Sequence, residues 1–327
     1  MVIESKKRIV LITLVILAFL ISGCGQQSGV QVSSPFAGGS QGLVLSFIPG
    51  APPDNIFDDA KFPFGISVML NNAGEYDIQP NDGYIEIVGI SPKDFGLASQ
   101  ANLKQNIPYM LKGAKKNFDG TVIAGEQNVI SFDRLNYMPN IVGNYAGFKI
   151  RANVCYNYKT SISSQLCVKK NLITNIQTKE ICDITGPKFI ANSGGPIQAI
   201  DLKQYPIGDS KLQIAFTIAQ VGGSEDRFYK LNTNCEDITT NLNKDIVHIK
   251  MGDINGKRPS CTGLQNPTAD SSEGDITLFN GAARPVICSL DTTGVDYVAQ
   301  VPLNFELSYR YSQFIEKPIM IQDVTLQ

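Results

Sequence analysis

The chain of 327 residues contains no tryptophan and a single histidine, His248. A serine or cysteine hydrolase needs a histidine base beside a nucleophile and an orienting acid. His248 lies in the apolar run Ile246–Ile249, which is typical of a strand, so we expect it to face solvent rather than to act as a base. An enzyme of this composition would have to rely on carboxylates alone, as glycosidases do. We therefore predict a non-enzymatic protein without a cofactor.

Clustered positive charge is also scarce. No basic cluster follows Arg8, and the formal net charge is −2 at pH 7. Proteins that bind nucleic acid neutralise its phosphates with grouped lysines and arginines, so we expect no nucleic-acid partner. A second apolar run of membrane length is missing as well. The hydrophobic content of 43% is typical of globular domains that have a core.

The first 24 residues carry a targeting pattern. Lys6-Lys7-Arg8 precedes the apolar run Ile9–Ile21, which is followed by Ser22-Gly23-Cys24. A basic start, a short apolar core and small residues at the cut define a secretory signal peptide, and the run is shorter than the ~20 residues that span a bilayer. The ending Ile21-Ser22-Gly23-Cys24 resembles the lipobox of secreted lipoproteins. An uncleaved signal anchor with a chance cysteine is the alternative.

This resemblance implies a signal peptide at residues 1–23 and a lipid on Cys24. The protein would then be extracytoplasmic, at the cell surface or in the periplasm, with the membrane as its first partner. Residues 24–42 carry no charge and little apolar surface. Such a segment buries too little area to offset chain entropy, so we expect a flexible tether.

Six cysteines remain after Cys24. An even number in an exported protein predicts three disulfides, for which six cysteines allow 15 connectivities. A turn expected at residues 159–164 would bring the first two cysteines together, and the Asn280-Gly281 turn lies inside a second pair. A bond from Cys182 back into the first half is an alternative for the third. The candidate pairs are Cys155–Cys167, Cys261–Cys288 and Cys182–Cys235.

Matched patterns at both ends of each half predict an internal duplication. Phe64–Leu70 and Leu212–Ile218 alternate apolar residues with small or polar ones, as a strand with one buried face does. A glycine, Gly74 or Gly222, follows four residues after each pattern. Each half later contains two tyrosines separated by one residue: Tyr156 and Tyr158 in the first half, Tyr309 and Tyr311 in the second.

Short strand patterns separated by turns such as Asp119-Gly120 fill the rest of the chain. They predict an all-β protein with two tandem immunoglobulin-like antiparallel β-sandwiches, at residues 43–180 and 181–327, after the signal peptide and tether. Residues 93–116 are expected to form an insertion in the first sandwich with one helical turn.

The strand that ends in a glycine turn and the late aromatic strand resemble the CARDB-type immunoglobulin-like domains of archaeal and bacterial surface proteins. Residues 185–325 fit this pattern best, and the first half fits at its ends. The resemblance implies a sandwich fold and a surface location. It implies no ligand.

Candidate ligand sites are few. Asp54, Asp58 and Asp59 could bind calcium weakly through carboxylate oxygens, as could Asp270, Glu273 and Asp275, although solvated loops are the favoured interpretation of both groups. The tyrosine pairs could stack on a sugar, but core rings whose hydroxyls are hydrogen-bonded are favoured.

The sequence therefore predicts a lipid-anchored, non-enzymatic envelope protein with a structural, adhesive or protein-interaction role, whose partner is another envelope protein. The alternative is a surface lipoprotein that captures a small molecule, a glycan or calcium. Residues 93–116 and the acidic loops would then form its site.

Overall fold

The computed structural model describes residues 33–143, 145–173, 181–235 and 241–324. The predicted signal peptide and the lipidation site Cys24 lie outside the described residues. The described residues from Ser34 to Val324 form a single compact unit. Within the described ranges, no helix is long and apolar enough to cross a membrane.

Strands dominate both halves, so the all-β prediction is confirmed. The first half contains β1 (Leu43–Phe47), β2 (Asn55–Phe57), β3 (Phe64–Asn72), β4 (Gly83–Val88), β5 (Lys104–Asn106), β6 (Lys115–Lys116), β7 (Val122–Ile123), β8 (Gln127–Leu135) and β9 (Tyr145–Lys169). The second half contains β10 (Gly186–Pro187), β11 (Ile190–Asn192), β12 (Ile197–Ile207), β13 (Lys211–Gln220), β14 (Arg227–Tyr229), β15 (Ile246–Met251), β16 (Ser260–Thr262), β17 (Glu273–Thr277), β18 (Arg284–Asp291) and β19 (Val298–Gln322). Short 3-10 turns lie at Pro92–Phe95, Gln100–Leu103 and Phe279–Gly281.

A single large sheet joins the two halves. Its strand order is β5-β4-β9-β19-β15-β17, with β11 added beside β9 and β14 and β2 beside β19. Smaller sheets, β1-β3-β8 in the first half and β10-β12-β13-β18-β16 in the second, accompany it. The predicted domains at residues 43–180 and 181–327 therefore share a sheet across their boundary.

The centre of the large sheet is the antiparallel pair β9 and β19. The pairing runs without a break from Tyr145 opposite Gln322 to Lys169 opposite Val298. The turn predicted at residues 159–164 is wrong, because this polar segment continues the strand. Ser161 and Ser163 occupy its outward positions, whereas the buried hydroxyl of Thr160 is hydrogen-bonded to Tyr309.

The strand order of the large sheet is symmetric about the β9–β19 pair. Tyr156 lies opposite Tyr311 and Tyr158 opposite Tyr309, with Asn157 opposite Arg310 between them. The matched tyrosines of the two halves therefore exchange places under a two-fold rotation centred on that middle pair. A two-fold relation between matched elements is compatible with a duplicated chain, and the duplication itself stays a prediction.

The alternation predicted from the sequence defines the core. In β3 the side chains of Ile66, Val68 and Leu70 are buried, and in β13 every second side chain from Leu212 to Ile218 is buried. These side chains join one hydrophobic cluster with those of β4, β9 and β19. In the second half, for example, the rings of Phe216 and Phe305 lie 4.7 Å apart between the two sheets. The two sheets thus share a core, as in a sandwich.

The four tyrosines lie at the middle of this core, and each is almost fully buried. Ring centroids of neighbouring tyrosines are 5.9–6.2 Å apart. Burial raises the pKa of all four phenols above its ordinary value. The interpretation as core rings is the one that the structure supports, because no tyrosine of this cluster is exposed for stacking on a sugar.

The hydroxyl groups explain why the tyrosines and glycines recur together. The Tyr156 hydroxyl accepts the amide of Leu43, the first residue of β1, and the Tyr309 hydroxyl accepts that of Ile197, the first residue of β12. The other two hydroxyls lie against glycines: Tyr158 against Gly74, and Tyr311 against Gly222. The two landmarks at opposite ends of each sequence half are therefore in contact.

Three disulfides are present, which indicates an oxidising, extracytoplasmic environment. The predicted Cys261–Cys288 bond is confirmed, and it joins residues directly opposite each other on β16 and β18.

The other two predicted pairings, Cys155–Cys167 and Cys182–Cys235, are wrong. Cys155 and Cys167 lie 12 residues apart on the same extended strand, about 40 Å at ~3.3 Å per residue. Instead Cys155 bonds to Cys235 and Cys167 bonds to Cys182. The bond of Cys182 to the first half is the alternative considered for this cysteine.

Two predicted segments differ from the structure. Residues 93–116 contain two 3-10 turns rather than one helical turn, and they also include β5, which pairs with β4 in the large sheet. The segment is therefore only partly an insertion. Residues 34–42 of the predicted flexible tether lie against the folded body, as described below.

Candidate binding groove beside the N-terminal segment

The N-terminal segment, residues 34–42, is held to the body by Glu75. The carboxylate of Glu75 accepts the amides of Ala37 at 2.9 Å, Gly38 at 2.9 Å and Gly194 at 2.7 Å. Hydrogen bonds to an ionised acceptor are about twice as strong as neutral ones. One side chain thus joins the N-terminal segment to the turn that precedes β12.

Further polar contacts extend this attachment along the segment. The carbonyl of Gly39 accepts the side-chain amide of Gln198 at 2.7 Å and the backbone amide of Gly195 at 3.2 Å. At the other end, the Lys116 ammonium donates to the carbonyl of Ser34 at 2.9 Å. The path of the chain from Ser34 to β1 is therefore defined by both halves of the body.

A cavity lies on each side of Phe36 in this segment. One cavity has a volume of about 380 Å³ and is lined by residues of β9, β15 and β19. A second, of about 290 Å³, is lined by residues of the first half and by Ser193. Phe36 and Ser161 line both cavities. We call the two cavities together the Phe36 groove.

The groove has an apolar interior and a charged rim. Phe36, Met251 and Phe305 contribute apolar surface to the larger cavity. On the rim, the Lys159 ammonium lies 2.9 Å from the carboxylate of Glu306. An apolar pocket with a few polar groups at its edge is the usual form of a binding site, and volumes of ~300–1,000 Å³ are typical for small ligands.

A network of ion pairs extends from the groove to His248. Lys250 lines the groove and lies 3.6 Å from Glu273. The two ring nitrogens of His248 contact Glu273 at 2.9 Å and Asp275 at 2.8 Å, and Lys230 lies 2.8 Å from Asp275. His248 was expected to face solvent, but its side chain is only 31% exposed and both its nitrogens have carboxylate partners.

The carboxylates of this network are held in the ionised form. The hydrogen bond from His248 is the main reason that the pKa of Glu273 is lowered. Burial opposes ionisation of Asp275, but hydrogen bonds from Lys230 and His248 bring its pKa below the ordinary value. Since both nitrogens of His248 are taken by carboxylates, neither is available to a nucleophile. The network does not have the arrangement of a hydrolase triad.

The sequence Gly38-Gly39-Ser40-Gln41-Gly42 matches the Gly-x-Ser-x-Gly pattern of many hydrolases. In that motif the serine lies on a sharp turn between a strand and a helix. Here Ser40 instead belongs to the N-terminal segment and is followed by β1. The pattern therefore lacks the structural context that would expose a nucleophile.

The three weak calcium candidates have partners within the protein. Asp58 accepts the amides of Ile141 at 3.0 Å and Val324 at 2.8 Å, and the Val324 and Ile141 amides lower its pKa. Asp54 lies 2.8 Å from Lys317, and Asp59 lies 2.8 Å from Lys61.

The second acidic group is likewise engaged. The Asp270 carboxylate accepts the hydroxyl of Thr268 and the amide and hydroxyl of Ser272, which lowers its pKa. In the part of the chain that the structure describes, no group of three or more histidine, cysteine or acidic side chains has the arrangement of a metal site.

Sequence reasoning missed the two residues that define the groove. Glu75 is an isolated acidic residue in a turn, and Phe36 is the one aromatic residue of an otherwise polar segment. Phe36 could have indicated that the segment packs against the body, because burial of an aromatic ring is favourable and the rest of the segment consists of small and polar residues. Nothing in the sequence indicates that Glu75 accepts three amides from two separate segments.

No protein-family model matches this chain, and the curated proteins include no similar sequence. The resemblance to CARDB-type domains and to the lipobox thus stays a prediction from the sequence.

Proposed function

We propose that this protein is a lipid-anchored, non-enzymatic protein of the cell envelope that binds a segment of another envelope protein in the Phe36 groove. The observation that carries the proposal is the groove itself, which lies along the segment that leads back to Cys24. A partner in the groove would therefore be held close to the membrane.

The rigidity of the body supports a role in holding a partner in place. The continuous β9–β19 pairing joins the halves, and the Cys155–Cys235 bond connects them covalently. A surface built from both halves, such as the Phe36 groove, then keeps its shape without a partner. Preorganisation of this kind reduces the entropy lost on binding.

The proposal is tested by a photo-crosslinking amino acid placed at Asn304 or at Gln300 in the full-length protein in intact cells. Both positions are exposed and lie on the same face of β19, but only Asn304 lines the groove. We expect Asn304 to crosslink to one or two envelope proteins and Gln300 to crosslink to none of them. Equal yields at the two positions, or no protein adduct at Asn304, would contradict the proposal.

A second candidate function is capture of a small molecule or glycan, because the larger cavity has the size of a small-ligand site. A ligand that binds only the folded protein raises its melting temperature in proportion to the logarithm of ligand concentration above Kd. Melting curves with envelope glycans and with calcium distinguish this function from the first. A rise that is abolished by Phe36→Ala, without protein crosslinks at Asn304, would favour ligand capture.

A further inference from the structure

The hairpin formed by β6 and β7 presents apolar side chains to solvent. Phe118 at its tip is fully exposed, with a relative exposure of 113%, and Val122 and Ile123 are 55% and 57% exposed. Single exposed apolar residues are common on protein surfaces, but a group of them marks an interaction site. Here three of them lie within six residues of one projecting hairpin.

The tip of the hairpin is ordered by its own hydrogen bonds. The Asn117 amide donates to the Thr121 carbonyl at 2.8 Å, and the Asn117 side chain contacts the Thr121 hydroxyl at 3.0 Å. The Asp119 carboxylate accepts the amide and the hydroxyl of Thr121. Gly120, with φ +87°, allows the left-handed backbone that the turn needs. Phe118 is thus held outward by a defined turn.

The base of the hairpin is fixed to the same part of the body as the N-terminal segment. The amide of Ala114 donates to the carbonyl of Gly74 at 2.7 Å, next to Glu75. At Gly113 an added Cβ would lie 2.5 Å from the Glu75 backbone, so only glycine allows this close approach. The hairpin therefore keeps its position relative to Glu75 and to the segment that Glu75 holds.

The hairpin lies where the chain leads to its anchor. Lys116 of β6 contacts the Ser34 carbonyl, and Ser34 follows Cys24 by ten residues. Ten residues span at most about 35 Å. Because residues 34–42 are attached to the body, the predicted lipid on Cys24 holds this side of the protein within that distance of the bilayer.

Three lysines lie at the base of the hairpin. Its first strand consists of Lys115 and Lys116, and Lys112 comes just before it. Two of these lysines have exposed carboxylate partners: Lys112 lies 3.2 Å from Glu126, and Lys115 lies 3.9 Å from Asp77. Exposed ion pairs contribute only about 0–1 kcal/mol, so these ammonium groups can exchange their carboxylates for lipid phosphates at little cost. Lysines near a membrane surface each contribute about 1 kcal/mol of attraction to anionic lipids.

We propose that the 115–123 hairpin is a second membrane contact, which inserts Phe118, Val122 and Ile123 into the interfacial region of an anionic bilayer beside the lipid anchor. This inference rests on the anchoring part of the proposed function. A single acyl chain gives only marginal membrane binding, and a second contact both strengthens it and fixes the orientation of the body. The Phe36 groove would then lie at a constant height above the membrane.

The absence of tryptophan makes a direct test possible. The full-length lipoprotein is prepared with Phe118→Trp or, as a matched control, Phe279→Trp. Phe279 is 63% exposed and lies in the connection between β17 and β18, the counterpart in the second half of the connection that contains the hairpin. Each variant is reconstituted into vesicles of phosphatidylcholine and phosphatidylglycerol, with and without bromine-labelled acyl chains.

We expect the fluorescence emission of the tryptophan at position 118 to shift to shorter wavelength on vesicle binding and to be quenched for the most part by the brominated acyl chains. The emission of the tryptophan at position 279 should show neither change. Vesicles of phosphatidylcholine alone should give a smaller effect at position 118. Flotation without quenching at position 118 would overturn the inference and leave the anchor intact. Failure to float with vesicles would instead contradict the anchoring on which the inference rests. A blue shift in native membranes but not in vesicles would assign the hairpin to a protein partner and so overturn the lipid contact.

Discussion

The attachment of the N-terminal segment depends on the charge of Glu75. In a Glu75→Gln variant, only one of the two side-chain oxygens remains, and the amide that replaces the other repels the N–H groups it faces. One of the three bonds, at 2.7–2.9 Å, is then lost, and the others lose their charge assistance. Hydrogen bonds to charged groups contribute about 1.5–3 kcal/mol each. We therefore expect the segment to detach more readily by about that amount.

The effect is local, because the Glu75 contacts lie outside the core. A loss of about 1.5–3 kcal/mol raises the open population of the segment by roughly ten- to a hundredfold. Hydrogen exchange of the Ala37, Gly38 and Gly194 amides should accelerate by this factor, while amides of β9 keep their rates. A peptide-level measurement by mass spectrometry resolves residues 34–42 from the strands.

Glu126→Gln is the matched control. Its carboxylate accepts a single amide, that of Lys112, at 3.1 Å. Faster exchange should be confined to the neighbourhood of Lys112 and should not reach Ala37 or Gly38. If these two amides exchange at the wild-type rate in Glu75→Gln, the reasoning that assigns the attachment to Glu75 is refuted.

Three further expectations concern the stability of the body. Gly222→Ala places a Cβ against the Tyr311 hydroxyl and 2.8 Å from Pro196, so denaturant unfolding should show a free energy of unfolding lower by about 1–3 kcal/mol. Adding Tyr311→Phe should restore part of this loss, and an unchanged free energy of unfolding in Gly222→Ala would contradict the contact. Hydrogen bonds from the Val324 and Ile141 amides lower the pKa of Asp58, so its contribution to stability is present above its usual value of 3.8 and is lost as pH falls through the folded value. Asp58→Asn should therefore lower the melting temperature at pH 6, and its difference from the wild type should shrink progressively as the pH is lowered below 3.8; a difference independent of pH would contradict this assignment. A non-reducing digest should yield a peptide that joins Cys167 to Cys182, and recovery of a Cys155–Cys167 peptide would contradict the structure. Replacing both Cys167 and Cys182 by alanine should lower the free energy of unfolding in urea by about 3 kcal/mol.

The parts of the fold that could be predicted were those that follow from local alternation. In β3 and β13, each second residue is apolar and buried, and no other arrangement of those residues hides them from water. The Asp119-Gly120 turn was equally accessible, since glycine accepts the backbone angles that the turn requires. That this turn projects from the body depends on the distant contacts of Gly113 and Ala114 and could not be seen locally.

The disulfide pattern shows why other parts could not be predicted. Serines and threonines at residues 159–164 favour a turn, and from a predicted turn the pairing of Cys155 with Cys167 followed. In the structure Ser161 and Ser163 occupy outward positions of β9, Ser164 is buried and donates to the carbonyl of Phe189, and Thr160 bonds to Tyr309 across the sheet. Tyr309, the partner of Thr160, is 149 residues away in the sequence. Because β9 continues through residues 159–164, Cys155 and Cys167 lie far apart, and each bonds to a cysteine from another segment.

The candidate groove has the same limitation. Phe36, Lys159 and Glu306 come from three distant parts of the chain, and their proximity depends on the register of β9 against β19 and on the attachment by Glu75. The sequence could indicate a protein-interaction role in general terms, but not the surface.

The two-fold arrangement of the large sheet has a consequence for the origin of the chain. A single copy of the repeat would bury the edge of its long strand only by pairing with a second copy, as a homodimer. In such a dimer the residue on the symmetry axis faces itself, and an arginine there would face a like charge. In a single chain that carries both halves this restriction is absent. Arg310 can therefore lie opposite Asn157 and donate a hydrogen bond to its side-chain oxygen at 3.1 Å, a pair that a symmetric homodimer could not contain.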